Sequence, residues 1–347
     1  MRRQVTIKDI AQRTGLSNRT VSLSLNGQGK VAQDTRDHVR EVARELGYRP
    51  NLLAKGLVEN KTFMIGAIFP IIGISFVNRI IAGMERECIK RDYEILLCSS
   101  SAPRISMFLP DLEFERGSVQ RMLRRRVDGI ICLPDPRAYS VYSEVVAEGI
   151  PLLQVLRRIP GLDTPYLIVD NELGAFEATR HLIELGHRSI GFLKSDDPSF
   201  EEINSRYQGY LRAIIKYSLS LDLDRVTEPC DLGFEGGYIA AKALLSRAVE
   251  LTAIVAPTDY AALGAMRACS EAGVRIPEDI SVVGYDDLDI ACYQVDKPLT
   301  TVKQPKEDFG AAAFDMLYSL IQAERVEPRV LAPELVVRAS SAPPSGA

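Results

Sequence analysis

Apolar residues recur along the chain in two rhythms, and the change from one to the other falls near residue 62. Over residues 5–46 they come three or four apart. Ile7, Ile10 and Ala11 give one helix face, Val21 and Leu25 a second, and Val39, Val42, Ala43 and Leu46 a third. The punctuation agrees. Thr6 ahead of Asp9 and Ser17 ahead of Val21 are helix starts, while Gly15, Asn26-Gly27 and Gly47 are stops. Three short helices, the second entered through a turn containing Gly15, predict an all-α helix-turn-helix head over residues 1–49. Residues 50–61 (NLLAKGLVENK after Pro50) predict a two-turn hinge helix, marginal alone because it is short and holds Gly56.

Beyond residue 62, short continuous apolar runs alternate with amphipathic stretches. The runs include MIGAIF (64–69), YEILLCSS (93–100), DGIICLP (128–134), PLLQVL (151–156), YLIVD (166–170), SIGFLKS (189–195), AIVAPT (253–258), ISVVGYDD (280–287) and LTTVKQP (299–305). Helical stretches such as 76–91, 172–187 and 259–273 separate them. Strand–helix alternation predicts parallel sheets covered by helices, and so many units exceed one ordinary sheet. The expected α/β core therefore has two parallel-sheet subdomains facing a cleft, where ligands lie beyond the carboxyl ends of the strands.

Composition narrows the class. The 347 residues are 46% hydrophobic and 25% charged, as in an ordinary globular protein of two or three domains. The longest apolar run, within 64–74, is far shorter than the roughly 20 residues of a bilayer span. The N-terminus, MRRQVTIKDIAQR, lacks an apolar targeting core. No membrane partner and a cytoplasmic location are expected. Six scattered cysteines (88, 98, 132, 230, 269, 292) form no CxxC pair and are expected to be buried free thiols; no metal or other cofactor is implied.

Charge changes the picture more. Residues 1–61 hold 12 Lys+Arg against 6 Asp+Glu, a net of +6, so the rest holds 30 against 40, a net of −10. A basic head on an acidic body fits a DNA-binding module joined to something that repels DNA. With Val21 and Leu25 inward, Asn18, Arg19, Ser22 and Leu23 point outward toward a major groove, where Asn pairs with adenine and Arg with guanine. Thr6, Ser17, Thr20, Asn26 and Lys30 are placed for phosphates.

Thr-Ile-Lys-Asp-Ile-Ala (6–11), Thr-Val-Ser (20–22), Gly-Tyr-Arg-Pro-Asn (47–51) and Ala-Lys-Gly-Leu (54–57) resemble the lactose/galactose repressor (LacI/GalR) family of bacterial regulators. The resemblance runs over essentially the whole chain. It implies a ligand-responsive repressor that binds a palindromic operator as a homodimer. It also implies paired hinge helices in the minor groove, with Leu57 as the wedge between base steps, Ala54 at the helix–helix contact, and Asn51 and Lys55 beside them. Two departures stand out: Leu23 replaces a basic base-reading residue, and Ala32 replaces a Ser at the third helix start.

The resemblance further implies a core similar to periplasmic sugar-binding proteins. Over 62–340, one subdomain is expected at about 62–161 plus 292–321 and the other at about 162–291 plus 322–340, followed by a disordered tail, 341–347. Its effector residues map to Phe76, Leu156, Arg206, Leu232 and Asp259, with Asp259 accepting effector hydroxyls. Leu156 and Phe200 stand where purine-responsive members carry Asp and Arg, which points away from a purine and toward a sugar or sugar phosphate. Arg157 and Arg158 serve an anion or face water. Segment 99–117 reads as a lid, a dimer contact or a tolerated insertion. An enzyme is disfavoured, because the Asp286, Asp287, Asp289 cluster follows a strand and no catalytic motif accompanies it. A protein co-effector, or an effector acting as corepressor, is the alternative.

Overall fold

Helix α1 (Ile7–Thr14) begins at a capping box: both the Thr6 N–H and the Thr6 hydroxyl donate to the Asp9 carboxylate, at 2.8 and 2.7 Å. The other half of the box is the Thr6 side chain accepting from the backbone of Asp9. Ser17 caps α2 (Asn18–Leu25), accepting from Thr20 N at 3.1 Å. Helix α3 (Gln33–Glu45) completes the head. Gly15 and Gly47 take left-handed φ of 70° and 68°, which ends α1 and α3 where the sequence stops them. Ile10, Ala11, Val21, Val39, Val42 and Ala43 form a small core of their own.

The structure is a computed structural model that describes residues 5–27, 29–48, 56, 61–70, 75–101, 111–195, 201–220, 226–227, 231–247, 250–293 and 296–345. The chain divides into two compact units, Met1–Thr62 and Phe63–Ala347. The hinge residues Asn51, Ala54, Lys55 and Leu57 lie outside the described residues, as do Phe200, Cys230 and positions 102–110 of the 99–117 segment.

In order, the second unit runs β1 (Met64–Phe69), α4 (Ser75–Lys90), β2 (Glu94–Ser99), α5 (Leu112–Arg125), β3 (Gly129–Cys132), α6 (Tyr139–Ala147), β4 (Leu152–Val155) and β5 (Tyr166–Val169). There follow α7 (Asn171–Glu184), β6 (Ile190–Leu193), α8 (Glu201–Lys216), β7 (Val226–Thr227), α9 (Phe234–Leu245), β8 (Ala253–Val255) and α10 (Asp259–Glu271). It ends with β9 (Ser281–Tyr285), α11 (Asp289–Tyr293), β10 (Thr300–Lys303), α12 (Lys306–Ile321), β11 (Arg329–Leu331) and β12 (Glu334–Val336). Two six-stranded sheets result, ordered β11-β5-β4-β3-β1-β2 and β12-β10-β9-β8-β6-β7. Among the described residues every pairing is parallel except β10 with β12.

Alternation decides what each strand buries. On β1, Ile65, Ala67 and Phe69 pack with Ile80 and Met84 of α4 and Phe314 of α12, while Ile68 faces Val119 and Met122 of α5. The covering helices touch backbone to backbone. A Cβ on Gly83 would sit 2.0 Å from the Glu307 carbonyl oxygen, and one on Gly310 would sit 1.9 Å from that of Ile80. Only glycine permits that approach of α4 to α12.

Three strands correct the expected subdomain limits. β5 and β11 belong to the first sheet and β10 to the second, so the chain crosses after residues 169, 303 and 331 rather than at 161, 291 and 321. Each crossing follows its strand because YLIV and RVL extend the first sheet in parallel, and TTVK extends the second. The tail is also corrected. Ser340 accepts from Thr300 N at 2.8 Å, Ser341 meets His181 Nε2 at 3.0 Å, and the Ala342 carbonyl meets His187 Nε2 at 2.9 Å. Small polar residues thereby satisfy sheet-edge groups, and the chain is ordered through 345. Cys88, Cys132, Cys269 and Cys292 are buried free thiols, but Cys98, on edge strand β2, is half-buried. Among the described residues no helix is long and apolar enough to cross a membrane.

Candidate DNA-binding and effector sites

In the head, α2 presents Asn18 and Arg19 fully to solvent at its first turn. Thr20, Ser22 and Leu23 are half-buried, and Leu23 lies against the turn at Gly29, where an added Cβ would come within 3.2 Å of its Cδ1. The outward group is therefore Asn18 and Arg19, with Ser22 beside them and Leu23 partly folded onto its own turn. Ser17, Asn26 and Lys30 are exposed around it. Arg36, which the sequence reading passed over, fixes that turn by donating to the Gly29 carbonyl at 2.7 Å and the Val31 carbonyl at 3.2 Å. Its place one turn into α3 is the only signal that marks it.

The second unit encloses a cavity between its two sheets. Pro70, Phe76, Val77, Leu133 and Leu156 form an apolar wall from the first subdomain, and Ile203, Leu232 and Leu288 answer it from the second. Polar groups gather at two points. Arg206, 5% exposed, donates from Nε to Asn171 Oδ1 at 2.9 Å and from Nη1 to the Pro257 carbonyl. Its guanidinium lies 3.7 Å from the centre of the Tyr285 ring and Nη2 lies 3.6 Å from Asp286 Oδ1. Gln304 donates to the same Asp286 oxygen at 2.7 Å, and Lys306 Nζ donates to the Asp286 and Asp287 carbonyls. Burial raises the Asp286 carboxyl pKa, with Arg206 and Lys306 opposing.

The other point bridges the subdomains. Arg157, just beyond β4, forks onto Glu202 of α8, with Nη2–Oε1 at 2.6 Å and Nε–Oε2 at 3.1 Å. Their side chains are 3% and 19% exposed, so this pair sits inside the cleft rather than in water. Arg158–Glu201 at 3.3 Å and Arg79–Asp289 at 2.6 Å cross at the rim. Leu156 (φ 64°) and Asp286 (φ 114°), both lining the cavity, hold backbone conformations that side chains rarely adopt. Such strain, paid elsewhere in the fold, clusters at functional sites.

Family models add to this geometry. A model described as bacterial regulatory proteins, lacI family, matches residues 6–51, and one described as a periplasmic binding protein-like domain matches 179–341. The HTH-type transcriptional repressor PurR of Pectobacterium atrosepticum is 33% identical over 352 residues, covering 97% of each chain. The chain belongs to the lacI family. The ribose operon repressor of Haemophilus influenzae is 30% identical, covering 96% of this chain and 98% of its own. Among solved structures, the Lac repressor dimer bound to operator and the anti-inducer ONPF superposes with a TM-score of 0.80 at 28% identity, over 98% of this chain and all of that one. A LacI family regulator from Enterococcus faecium with bound ribose gives 0.69 at 27% identity, over 81% and 99%. These relatives are regulators, not enzymes, and so is this chain.

Phe76, Leu156, Arg206 and Leu232 come together on the cavity lining. Asp259 does not join them. It is fully buried, and its oxygens accept from Leu288 N at 2.7 Å and the Thr301 hydroxyl at 2.5 Å. The two oxygens join α10 to the turn after β9 and to β10, and Asp259 is absent from the cavity lining. Burial, then Asp286, drives its pKa well up. Nor is it the cap of α10, which is Thr258, accepting from Ala261 N at 3.0 Å and donating to the Leu232 carbonyl at 2.6 Å. Thr258→Ala is expected to cost about 1–2 kcal/mol, read as a lower urea midpoint; an unchanged midpoint would show the cap to be replaceable by water. Arg157 is buried on Glu202, while Arg158 faces water at the rim, paired with Glu201. Asn171, Glu202, Thr258, Tyr260 and Gln304 are polar lining residues that the sequence reading did not name, and Asp286 it named only in an acidic cluster.

Proposed function

We propose that the protein is a repressor acting as a homodimer on a palindromic operator, in the cytoplasm and on the nucleoid when bound. The observation that carries this reading is the exposed Asn18–Arg19 pair at the start of a capped α2, in a basic head. Each head places these residues in a major groove, with Thr6, Ser17, Thr20, Asn26 and Lys30 at phosphates. Leu57, Ala54, Asn51 and Lys55 act from the hinge in the minor groove. The cleft takes a small effector whose binding changes the closure of the subdomains and so DNA affinity, by a coupling of typically about 1–3 kcal/mol that DNA must return to the effector. The ribose-bound Enterococcus faecium structure supports a sugar as its class.

Selecting genomic fragments on the purified protein tests the reading. A palindromic winner is expected. Arg19→Ala is then expected to lose about 1–3 kcal/mol against that winner and to relax preference at particular base pairs. An equal loss on every sequence would make Arg19 a phosphate contact.

A further inference from the structure

The charges that line the cleft are already matched in pairs. Among the described lining residues the cations are Arg157 and Arg206. Arg206 turns all three nitrogens to the protein: Nε to Asn171, Nη1 to the Pro257 carbonyl and Nη2 toward Asp286. Arg157 commits its fork to Glu202, through Nη2–Oε1 at 2.6 Å and Nε–Oε2 at 3.1 Å. That planar two-point grip is the one with which an arginine holds a carboxylate or a phosphate. Here the carboxylate belongs to the chain itself. At the rim, Arg158 meets Glu201 and Arg79 meets Asp289 in the same sense.

Glu202 does more than serve its helix. An acid in the first turn of α8 favours the helix dipole, and one standing in water would do so equally well. The Glu202 side chain is instead 19% exposed and turned across the cleft onto a guanidinium that is 3% exposed. Burial works against the Arg157 charge, but Glu202, Asp135 and Glu115 outweigh it and hold its pKa above the usual arginine range. An anion entering beside Arg157 would leave water, meet the field of these three carboxyl groups and find the guanidinium edge taken. Burying an ion without a counter-charge of its own is unfavourable. The rest of the lining suits an uncharged guest. Phe76, Leu133 and Leu156 present an apolar wall, and Tyr260 and Gln304 bring hydrogen-bonding groups. We propose that Glu202 makes the cleft selective for an uncharged effector, by standing where the anionic group of a phosphorylated or carboxylated one would bind. The proposal rests on the reading of the cleft as an effector site and narrows its ligand to compounds without an acidic group.

Inorganic phosphate is the probe, sodium chloride of equal ionic strength the reference, and the melting temperature of the full-length protein the readout. Arg157→Gln/Glu202→Gln removes both charges together and sets the response due to phosphate elsewhere on the molecule. The parent is expected to match that double variant. Glu202→Gln keeps the side chain's size but frees the guanidinium. It is expected to bind phosphate at least about tenfold tighter than the parent, the effect of two charge-assisted hydrogen bonds. A parent that already exceeds the double variant would overturn the proposal, and so would a Glu202→Gln that does not exceed it. Should Glu202→Gln fail to fold, the parent still decides through paired compounds: pentoses, hexoses and nucleosides, each beside its own phosphate ester. In every pair that raises the melting temperature, the uncharged member is expected to raise it more. An ester that outdoes its uncharged form would overturn the proposal. Compounds that stabilise the protein yet leave its affinity for the selected DNA unchanged would end the effector reading by itself, with the charge preference intact.

Discussion

Replacing Arg206 by alanine is expected to destabilise the second unit by about 3–5 kcal/mol, the cost of stranding one partner of a buried ion pair. The guanidinium holds four groups from three places: Asn171 at the start of α7, the Pro257 carbonyl after β8, and the Tyr285 ring and Asp286 carboxylate at the end of β9. Its loss leaves the Asn171 carbonyl oxygen and a buried carboxylate short of their charged donor. Urea unfolding followed by tyrosine fluorescence measures the loss. Adding Asp286→Asn to the variant is expected to return part of the stability, because the stranded charge is gone. A loss below about 1 kcal/mol, beneath the range for such pairs, would mean that water replaces the guanidinium and that the cleft is far wetter than its walls indicate. The same four bonds make Arg206 a coupling element. Any effector that reorients the guanidinium shifts the ends of two strands and the start of a helix together.

Periodicity alone located much of this molecule. The head's three helices and its caps follow from residues 6–47, and nine of the strands lie within continuous apolar runs. What escaped was decided by pairing across distance. β11 and β12 have three residues each, in EPRVLAPELVV, where charge and proline mask any apolar run. The subdomain limits slipped by one strand each because a crossing loop and a turn read alike in sequence. In the cleft, Arg206 was legible as a motif residue. Glu202 was not, because its partner Arg157 is 45 residues away and joined to it only by the fold. Asp259 misled for the opposite reason. Its position after a strand is right for a ligand-binding carboxylate, but Leu288 N and Thr301 claim both oxygens, and Asp286 takes the cavity-facing place.

A buried carboxyl outside the cleft is expected to give the core a pH dependence of its own. Glu115 on α5 is fully buried, accepting from the Tyr142 hydroxyl at 2.6 Å and from Asp135 N at 3.2 Å. Burial raises its pKa from 4.5 to about 7, and the nearby Asp135 adds to the rise; the Tyr142 bond, the Asp135 N–H and Arg157 oppose it. The folded state therefore keeps a proton that the unfolded chain releases near pH 4.5. Between that pH and about 7 the native protein binds more protons than the unfolded one, so this group's contribution falls as pH rises. The total is on the order of 3 kcal/mol, at about 1.4 kcal/mol per pH unit. Glu115→Gln keeps an acceptor for Tyr142 and removes the ionisation. Other groups titrate in the same window, so the informative quantity is the difference between parent and variant. The variant is expected to match the parent near pH 4.5 and to exceed it increasingly up to about pH 8, in urea titrations at each pH. Parallel stability curves would show that Glu115 stays ionised in the fold, held by the Asp135 amide and the Arg157 charge against its burial.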